Sequence, residues 1–252
     1  MHAADDIRGW LIDLDGTLVC GGRAVPGAHA FLDACAGRFV VVSNDAEHTP
    51  AELASSLRRV GLDVPAGRIV LAGAVALDEI AIQRPGARVL VLASDSLLRH
   101  ARERGLRPAR TWPDIVFLGR DRRFSHQRLA LAANAVRAGA ELVVANPDLV
   151  HPGPGGAVVP ETGALLAALL ACTGPVNYRV VGKPEPILFA AGLALLGLPR
   201  RSVAMLGDNP RTDGDGARRF GLRYVEIADG VFPQAHGETT CPEQEAVMAL
   251  PA

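Results

Sequence analysis

The chain has 252 residues, of which 49% are hydrophobic, and a formal net charge of −1. That much apolar material suits one large α/β domain, or a core with a smaller insert, and excludes disorder. No basic excess is present to meet a nucleic-acid backbone, and the longest apolar run, Ala164 to Cys172, falls far short of a membrane span.

The opening residues, Met1-His2-Ala3-Ala4-Asp5-Asp6, carry no apolar stretch behind a basic leader, so no secretory signal is read and a cytoplasmic protein is expected. Cys20, Cys35, Cys172 and Cys241 lack Cys-x-x-Cys spacing, which predicts reduced thiols rather than a zinc site or disulfides. Of the 26 basic residues only Lys183 is a lysine. An arginine fork cannot replace a compact ammonium in a tight pocket, so Lys183 is a candidate functional residue.

Short apolar runs alternate with helical patterns along the chain. They are Trp10–Ile12, Phe39–Val42, Ile69–Leu71, Val89–Ala93, Ile115–Leu118, Leu142–Ala145, Val180–Val181, Val203–Leu206 and Arg223–Ile227. This alternation predicts parallel sheets with crossover helices. Thr49-Pro50-Ala51-Glu52 is a capping box with proline at the first helical position, opening a helix that stops at Gly61. Ser125 caps a helix ending near Gly139, Pro184 opens one ending near Gly197, and Thr212 opens one ending near Gly221.

Two Pro/Gly joints, Gln83-Arg84-Pro85-Gly86-Ala87 and Thr173-Gly174-Pro175-Val176-Asn177, bracket a middle segment with its own strand and helix signals. The expected organisation is a core in two parts, residues 1–83 and 176–252, around an inserted α/β domain at 84–175. A single nine-stranded sheet is the alternative, since such joints also serve as ordinary loops. The tail after Gly230, rich in Pro, Gln, Glu and Thr, is expected to pack loosely.

The first strand runs out through Asp13-Leu14-Asp15-Gly16-Thr17. In regular strand geometry Asp13 and Asp15 share a face, where their repulsion calls for a cation between them or a proton on one. Val41-Val42-Ser43-Asn44 offers a hydroxyl and an amide, neutral donors for phosphate oxygens, although Ser-Asn is also common turn chemistry. In Val181-Gly182-Lys183-Pro184 the lysine can neutralise an anion. Asp208 and Asp213, in Gly207-Asp208-Asn209-Pro210-Arg211-Thr212-Asp213, are hard oxygen ligands that suit magnesium. An EF-hand reading of Asp213-Gly214-Asp215-Gly216 fails, because Leu222 stands where a bidentate glutamate is needed. Asp13, Asp15, Ser43, Lys183 and Asp208 all follow carboxyl ends of predicted strands, the edge where open parallel sheets bind ligands. Together they are the parts phosphoryl transfer requires.

Through Asp-x-Asp-Gly-Thr at Asp13, Ser-Asn at Ser43, Gly-Lys-Pro at Gly182 and Gly-Asp-Asn-x-x-Thr-Asp at Gly207, the chain resembles the haloacid dehalogenase-like hydrolase superfamily. The middle segment resembles the cap of the subgroup holding p-nitrophenyl phosphatases, nucleotide monophosphatases and pyridoxal phosphate phosphatases. That likeness rests on Val116-Phe117-Leu118-Gly119-Arg120-Asp121 with Phe124-Ser125, on Ala145-Asn146-Pro147-Asp148, and on Val159-Pro160-Glu161-Thr162-Gly163-Ala164-Leu165. It implies a doubly wound, Rossmann-like parallel-sheet core with an inserted α/β cap, and a magnesium-dependent phosphatase acting on a small phosphate ester.

The resemblance implies a role for each matching residue. Asp13 is the nucleophile that becomes an aspartyl phosphate, and Asp15 the general acid and then base. Asp13, Asp208 and the backbone carbonyl of Asp15 hold Mg2+, with Asp213 in a supporting position. Ser43, Asn44 and Lys183 hold the transferring phosphoryl oxygens. His151 lies in a Pro/Gly-rich loop that can reach the core, and His151-Pro152 resembles a step in pyridoxal phosphate phosphatases, so it is the candidate for touching the leaving group. Arg120 and Asp121 make the insert more charged than an aromatic substrate suggests, and the arginines from Arg99 to Arg128 either attract anions or simply decorate exposed helices.

A phosphotransferase or mutase using the same intermediate, and a non-catalytic phosphate sensor, are the alternative functions. The expected partner is a small-molecule phosphate ester, with no nucleic acid and no membrane, and the resemblance admits a homodimer through the cap.

Overall fold

The computed structural model describes residues 7–152, 157–227 and 231–233. Strand β1 (Gly9–Ile12) leads into a hairpin of β2 (Val19–Cys20) and β3 (Arg23–Ala24). Helix α1 (Ala28–Ala34), β4 (Phe39–Ser43), α2 (Pro50–Arg59), β5 (Ile69–Leu71) and α3 (Ala72–Gln83) follow. The chain then passes through β6 (Arg88–Leu92), α4 (Asp95–Glu103), β7 (Arg107–Pro108), β8 (Ile115–Leu118), α5 (His126–Arg137) and β9 (Glu141–Val144). After the hairpin of β10 (Val150–Pro152) and β11 (Val158–Pro160) come α6 (Thr162–Thr173) and β12 (Tyr178–Val180). Helix α7 (Pro186–Leu196), β13 (Val203–Gly207), α8 (Asp215–Phe220) and β14 (Arg223–Glu226) complete the order.

Two all-parallel five-stranded sheets result, in the orders β14-β13-β1-β4-β5 and β12-β9-β8-β6-β7. The single nine-stranded sheet is therefore excluded. Strands of the first sheet read as unbroken apolar runs because helices cover both faces. Leu11, Ile12, Val41 and Val42 are completely buried. Each such side chain contributes roughly 1.5–3 kcal/mol relative to exposure, and Leu11→Ala is expected to cost about 2–5 kcal/mol. In the second sheet the period of two is visible in β6. Val89 and Val91 join the large core shared with the first sheet, whereas Leu90 and Leu92 join a second core completed by Ala132, Val136, Leu166 and Leu169.

All nine predicted strands form, and α2 and α5 open at Thr49 and Ser125 as expected, the former with both bonds of its capping box. Several details differ. The run at Val180, assigned to the core's second part, forms β12 and pairs with β9 of the second sheet, so the chain returns after Val180 rather than at the Gly174-Pro175 joint. Helix α7 opens at Pro186, two residues beyond Pro184, because Glu185 N–H closes a turn onto Gly182 O at 3.0 Å. Asn209, not Thr212, caps the next segment. Its Oδ1 accepts from Arg211 and Thr212 N–H at 3.0 and 3.4 Å, starting a wide turn over Pro210–Gly214 before α8. Strands β2, β3, β7, β10 and β11 are two or three residues long and carry too short a pattern to be read.

Among the described residues Cys20, Cys35 and Cys172 are free thiols, and no helix is long and apolar enough to cross a membrane. The opening six residues and Cys241 lie outside the described residues, as does the tail apart from 231–233, where Phe232 stacks on Phe31 with centroids 5.1 Å apart.

Candidate active site

Strand β1 is central in its sheet, with β4 and β5 on one side and β13 and β14 on the other. This is the switch point at which such sheets bind ligands. Asp13 follows directly. Its N–H still donates to Leu206 O at 2.8 Å, so the ladder with β13 fixes its backbone, and its side chain is buried. Asp15 does not continue the strand. It stands in a turn closed by Gly16 N–H to Val19 O at 2.8 Å and Leu18 N–H to Leu14 O at 2.8 Å, with Gly16 at φ +83°. The two acids therefore differ in setting, one buried at a strand end and one exposed in the turn that follows.

Lys183 Nζ lies 2.5 Å from Asp13 Oδ1 and 2.7 Å from Asp213 Oδ1, and only 2% of the residue is exposed. Burial alone would lower the proton affinity of the ammonium, but the two carboxylates outweigh it and hold the charge. One oxygen from each of Asp13, Asp208 and Asp213 lies within 4.8 Å of the others. Burial, and then the charge of Asp13, pushes the carboxyls of Asp208 and Asp213 upward. Three carboxylates facing one ammonium leave an excess of negative charge on hard oxygen donors, a set that fits a small divalent cation.

At the end of β4, Ser43 Oγ accepts from Asp45 N–H at 3.1 Å, which leaves the hydroxyl proton free to donate elsewhere. Asn44 and Lys183 clasp each other: Lys183 N–H donates to Asn44 Oδ1 at 2.7 Å and Asn44 Nδ2 to Lys183 O at 3.0 Å. Asn44 Nδ2 also reaches Asp148 Oδ2 at 2.9 Å, and Asn146 Nδ2 donates to Asn44 O at 2.6 Å. Asp45 accepts from the N–H groups of Glu47 and His48 at 2.8 and 2.7 Å and lies 2.7 Å from His48 Nδ1. Burial works against the Asp45 carboxylate, yet these bonds hold it below its usual range.

Asp15 is exposed to solvent yet surrounded by protein on most sides. That enclosure, followed by the charges of Asp13 and Asp45, pushes its carboxyl up to about 6, with Lys183 and His151 acting in the other direction. His151 Nδ1 lies 2.6 Å from Glu161 Oε1. Arg120 stands between Glu161, at 3.4 Å, and Glu47, at 3.2 Å, and so joins the second sheet to the loop after β4.

Residues 10–107 match the haloacid dehalogenase-like hydrolase family, and residues 180–249 match a second family description of the same kind. An acid sugar phosphatase from Staphylococcus aureus is 32% identical over 228 residues, 89% of this chain and 87% of that protein. The chain belongs to the haloacid dehalogenase-like hydrolases. Crystal structures agree. A 4-nitrophenylphosphatase from Thermotoga maritima superposes with a TM-score of 0.85 at 27% identity, covering 92% of this chain and 90% of the other. A glycerol phosphate phosphatase from Mycobacterium tuberculosis, in complex with magnesium, gives 0.83 at 35% identity, covering 91% and 70%. Like these relatives, the hydrolase is a phosphoric monoester hydrolase.

Of the residues singled out in the sequence, Asp13, Lys183, Asp208 and Asp213 meet in one cluster of this hydrolase, and Asn44 is bonded to Lys183. Asp213, expected in a supporting position, touches the lysine directly. Several arginines of the Arg99–Arg128 stretch are paired with acids. Arg99 meets Glu52, Arg104 meets Asp78, Arg123 meets Asp95, and Arg128 meets the buried Asp121 at 2.5 Å. Asp45, Asp148 and Glu161 were not singled out as site residues. Asn146-Pro147-Asp148 carried a signal as an acid in a turn after an apolar strand, the same signal that marked Asp13.

Proposed function

We propose that the chain is a magnesium-dependent phosphatase that hydrolyses a small phosphate monoester through an aspartyl phosphate on Asp13. The observation that carries this reading is the placement of Lys183 Nζ between Asp13 and Asp213, with Asp208 completing a trio of carboxylates. In this reading Asp13, Asp208 and the backbone carbonyl of Asp15 hold the metal and Asp213 supports it. Bound there, magnesium supplies positive charge that polarises the phosphoryl group. The relative crystallised with magnesium supports that choice of ion.

The Asp13 carboxylate attacks phosphorus, and the bond to the leaving oxygen breaks. Asp15, whose raised carboxyl retains a proton at weakly acidic pH, gives that proton to the departing alkoxide. Its carboxylate then takes a proton from water, which attacks the phosphorus of the aspartyl phosphate, releasing phosphate and restoring Asp13. Lys183 offsets charge on the phosphoryl oxygens, Ser43 donates its hydroxyl to them, and Asn44 holds Lys183 in place. Residues 84–175, extended to the end of β12, act as a cap over the site, and His151 touches the leaving group.

The test is phosphate release from p-nitrophenyl phosphate and from a panel of metabolite monoesters, with magnesium saturating or chelated. Release that stops on chelation and returns with magnesium is expected. Release indifferent to chelation would remove the metal from the account, and no release from any ester would remove the hydrolysis.

A further inference from the structure

We propose that Tyr224 is a positioning residue for the metal. Its hydroxyl, bonded to the carbonyl of Gly207, sets the peptide that carries Asp208 and thereby the spacing of the Asp13, Asp208 and Asp213 carboxylates. The proposal rests on the reading of that trio as the magnesium site.

The trio is held unevenly. Lys183 pairs with Asp13 and Asp213, both buried, whereas Asp208 is the exposed member. Its place therefore depends on its backbone more than that of the other two. Gly207 and Asp208 share a planar peptide, so whatever holds Gly207 O fixes the plane from which Asp208 departs. Two donors hold it. Ile227 N–H, continuing the parallel ladder past Glu226, lies at 2.9 Å, and Tyr224 O–H at 3.1 Å. A carbonyl oxygen has two lone pairs, and both are used here. The same glycine borders the third acid, since a Cβ on Gly207 would stand 2.2 Å from Asp213 Oδ2.

Tyr224 pairs in register with Met205, and its half-buried side chain reaches two residues further along β13, to the end where the acids stand. Room for the ring is made at Gly214. The φ of −67° there suits any residue, so the backbone does not call for glycine, but a Cβ would lie only 3.1 and 3.2 Å from Tyr224 Cε1 and Cδ1. Over the ring stands Arg218, with Cζ 5.8 Å from the centroid and Nη1 2.5 Å from Asp215 Oδ1. The ring is thus confined, and its hydroxyl is delivered to one acceptor. Burial, and then the charges of Asp213, Glu226 and Asp208, push the phenol upward, so it stays a proton donor. Phenylalanine would fill the same space without that bond, which separates positioning from packing.

The probe is magnesium itself, titrated by calorimetry into metal-free wild type and Tyr224→Phe, with the melting temperature followed at each concentration. The substitution keeps the ring against Gly214 and Arg218 and removes only the bond to Gly207. The dissociation constant for magnesium should rise about tenfold, the effect expected when a group that orients a metal ligand is lost. The magnesium concentration at which the melting temperature begins to climb should increase by about the same factor. Half-saturating magnesium for phosphate release from p-nitrophenyl phosphate should rise in parallel, with a smaller change in kcat once magnesium saturates. A magnesium affinity within about twofold of wild type overturns the proposal, and so does a loss confined to the metal-free melting temperature, which is what a merely structural bond would give. A wild type that neither binds magnesium nor is stabilised by it would instead overturn the metal reading beneath the proposal.

Discussion

Asn44 and Lys183 are joined by two reciprocal hydrogen bonds, Lys183 N–H to Asn44 Oδ1 at 2.7 Å and Asn44 Nδ2 to Lys183 O at 3.0 Å. The clasp ties the end of β4 to the Gly-Lys-Pro turn at the point where the chain returns from the second sheet. It orients the backbone from which the lysine side chain reaches Asp13, so a neutral amide governs the position of the buried cation.

Asn44→Ala should leave both backbone groups of Lys183, and Asp148 Oδ2, without that partner. The expected loss is about 2–4 kcal/mol of unfolding free energy, read from urea denaturation. A variant within about 0.5 kcal/mol of wild type would mean that water replaces the clasp at no cost.

Lys183→Met should be more severe, because it leaves Asp13 and Asp213 facing each other without the ammonium that separates them. Removing one partner of a buried ion pair costs about 3–5 kcal/mol. Magnesium should restore part of that stability if the carboxylate trio binds it, since binding to the folded state alone raises the midpoint of unfolding. Lys183→Arg is not a conservative repair, because the planar fork does not fit where a point charge is completely enclosed. A Lys183→Met protein as stable as wild type without metal would contradict the electrostatic account.

Gly207→Ala tests how closely β13 approaches the cluster. A Cβ there would stand 2.2 Å from Asp213 Oδ2, so the carboxylate or the strand must move. Overpacking of this kind costs about 1–3 kcal/mol. Displacing Asp213 from Lys183 should also slow phosphate release by roughly tenfold or more. Unaltered stability and turnover would show that the carboxylate has room to shift.

How much of this arrangement is legible in the sequence depends on which element delivers the residue. Asp13, Ser43, Lys183 and Asp208 stand just past strands buried on both faces, where an acid, hydroxyl or lysine contrasts with the apolar run before it. Glu161 and Asp45 have no such contrast. Glu161 reaches His151 only because the β10–β11 hairpin folds a Pro/Gly-rich stretch back on itself, a pairing of three residues per strand that no periodicity announces. The place of β12 in the second sheet is illegible for a related reason: Gly174-Pro175 has the composition of a hinge, but the pairing partner of the next strand, β9, lies 36 residues back, Tyr178 with Leu142, and leaves no local trace.

The pair of Asp45 and His48 predicts a pH dependence of stability. Bonds from His48 and from backbone N–H groups depress the Asp45 carboxyl below its ordinary 3.8, and the carboxylate raises His48 above its ordinary 6.5. The Asp45 contribution is present above about 4 and lost as pH falls through its lowered folded value; the His48 contribution is complete below about 6.5 and lost as pH rises through its raised folded value. The His48 side chain is 41% exposed, so screening limits the pair to about 1 kcal/mol. The melting temperatures of wild type and His48→Gln should differ most near pH 5–6 and converge by about pH 9. A difference that grows with alkaline pH would reverse the assigned sign.

The central claim is that Asp13 is the nucleophile, and the direct measurement is phosphate release by Asp13→Asn under saturating magnesium, alongside its urea unfolding. The substitution keeps the shape of the side chain and removes the charge that attacks phosphorus. Turnover should fall by roughly 10³-fold or more while the protein still unfolds cooperatively. A folded Asp13→Asn protein releasing phosphate within about tenfold of the wild-type rate would contradict the account.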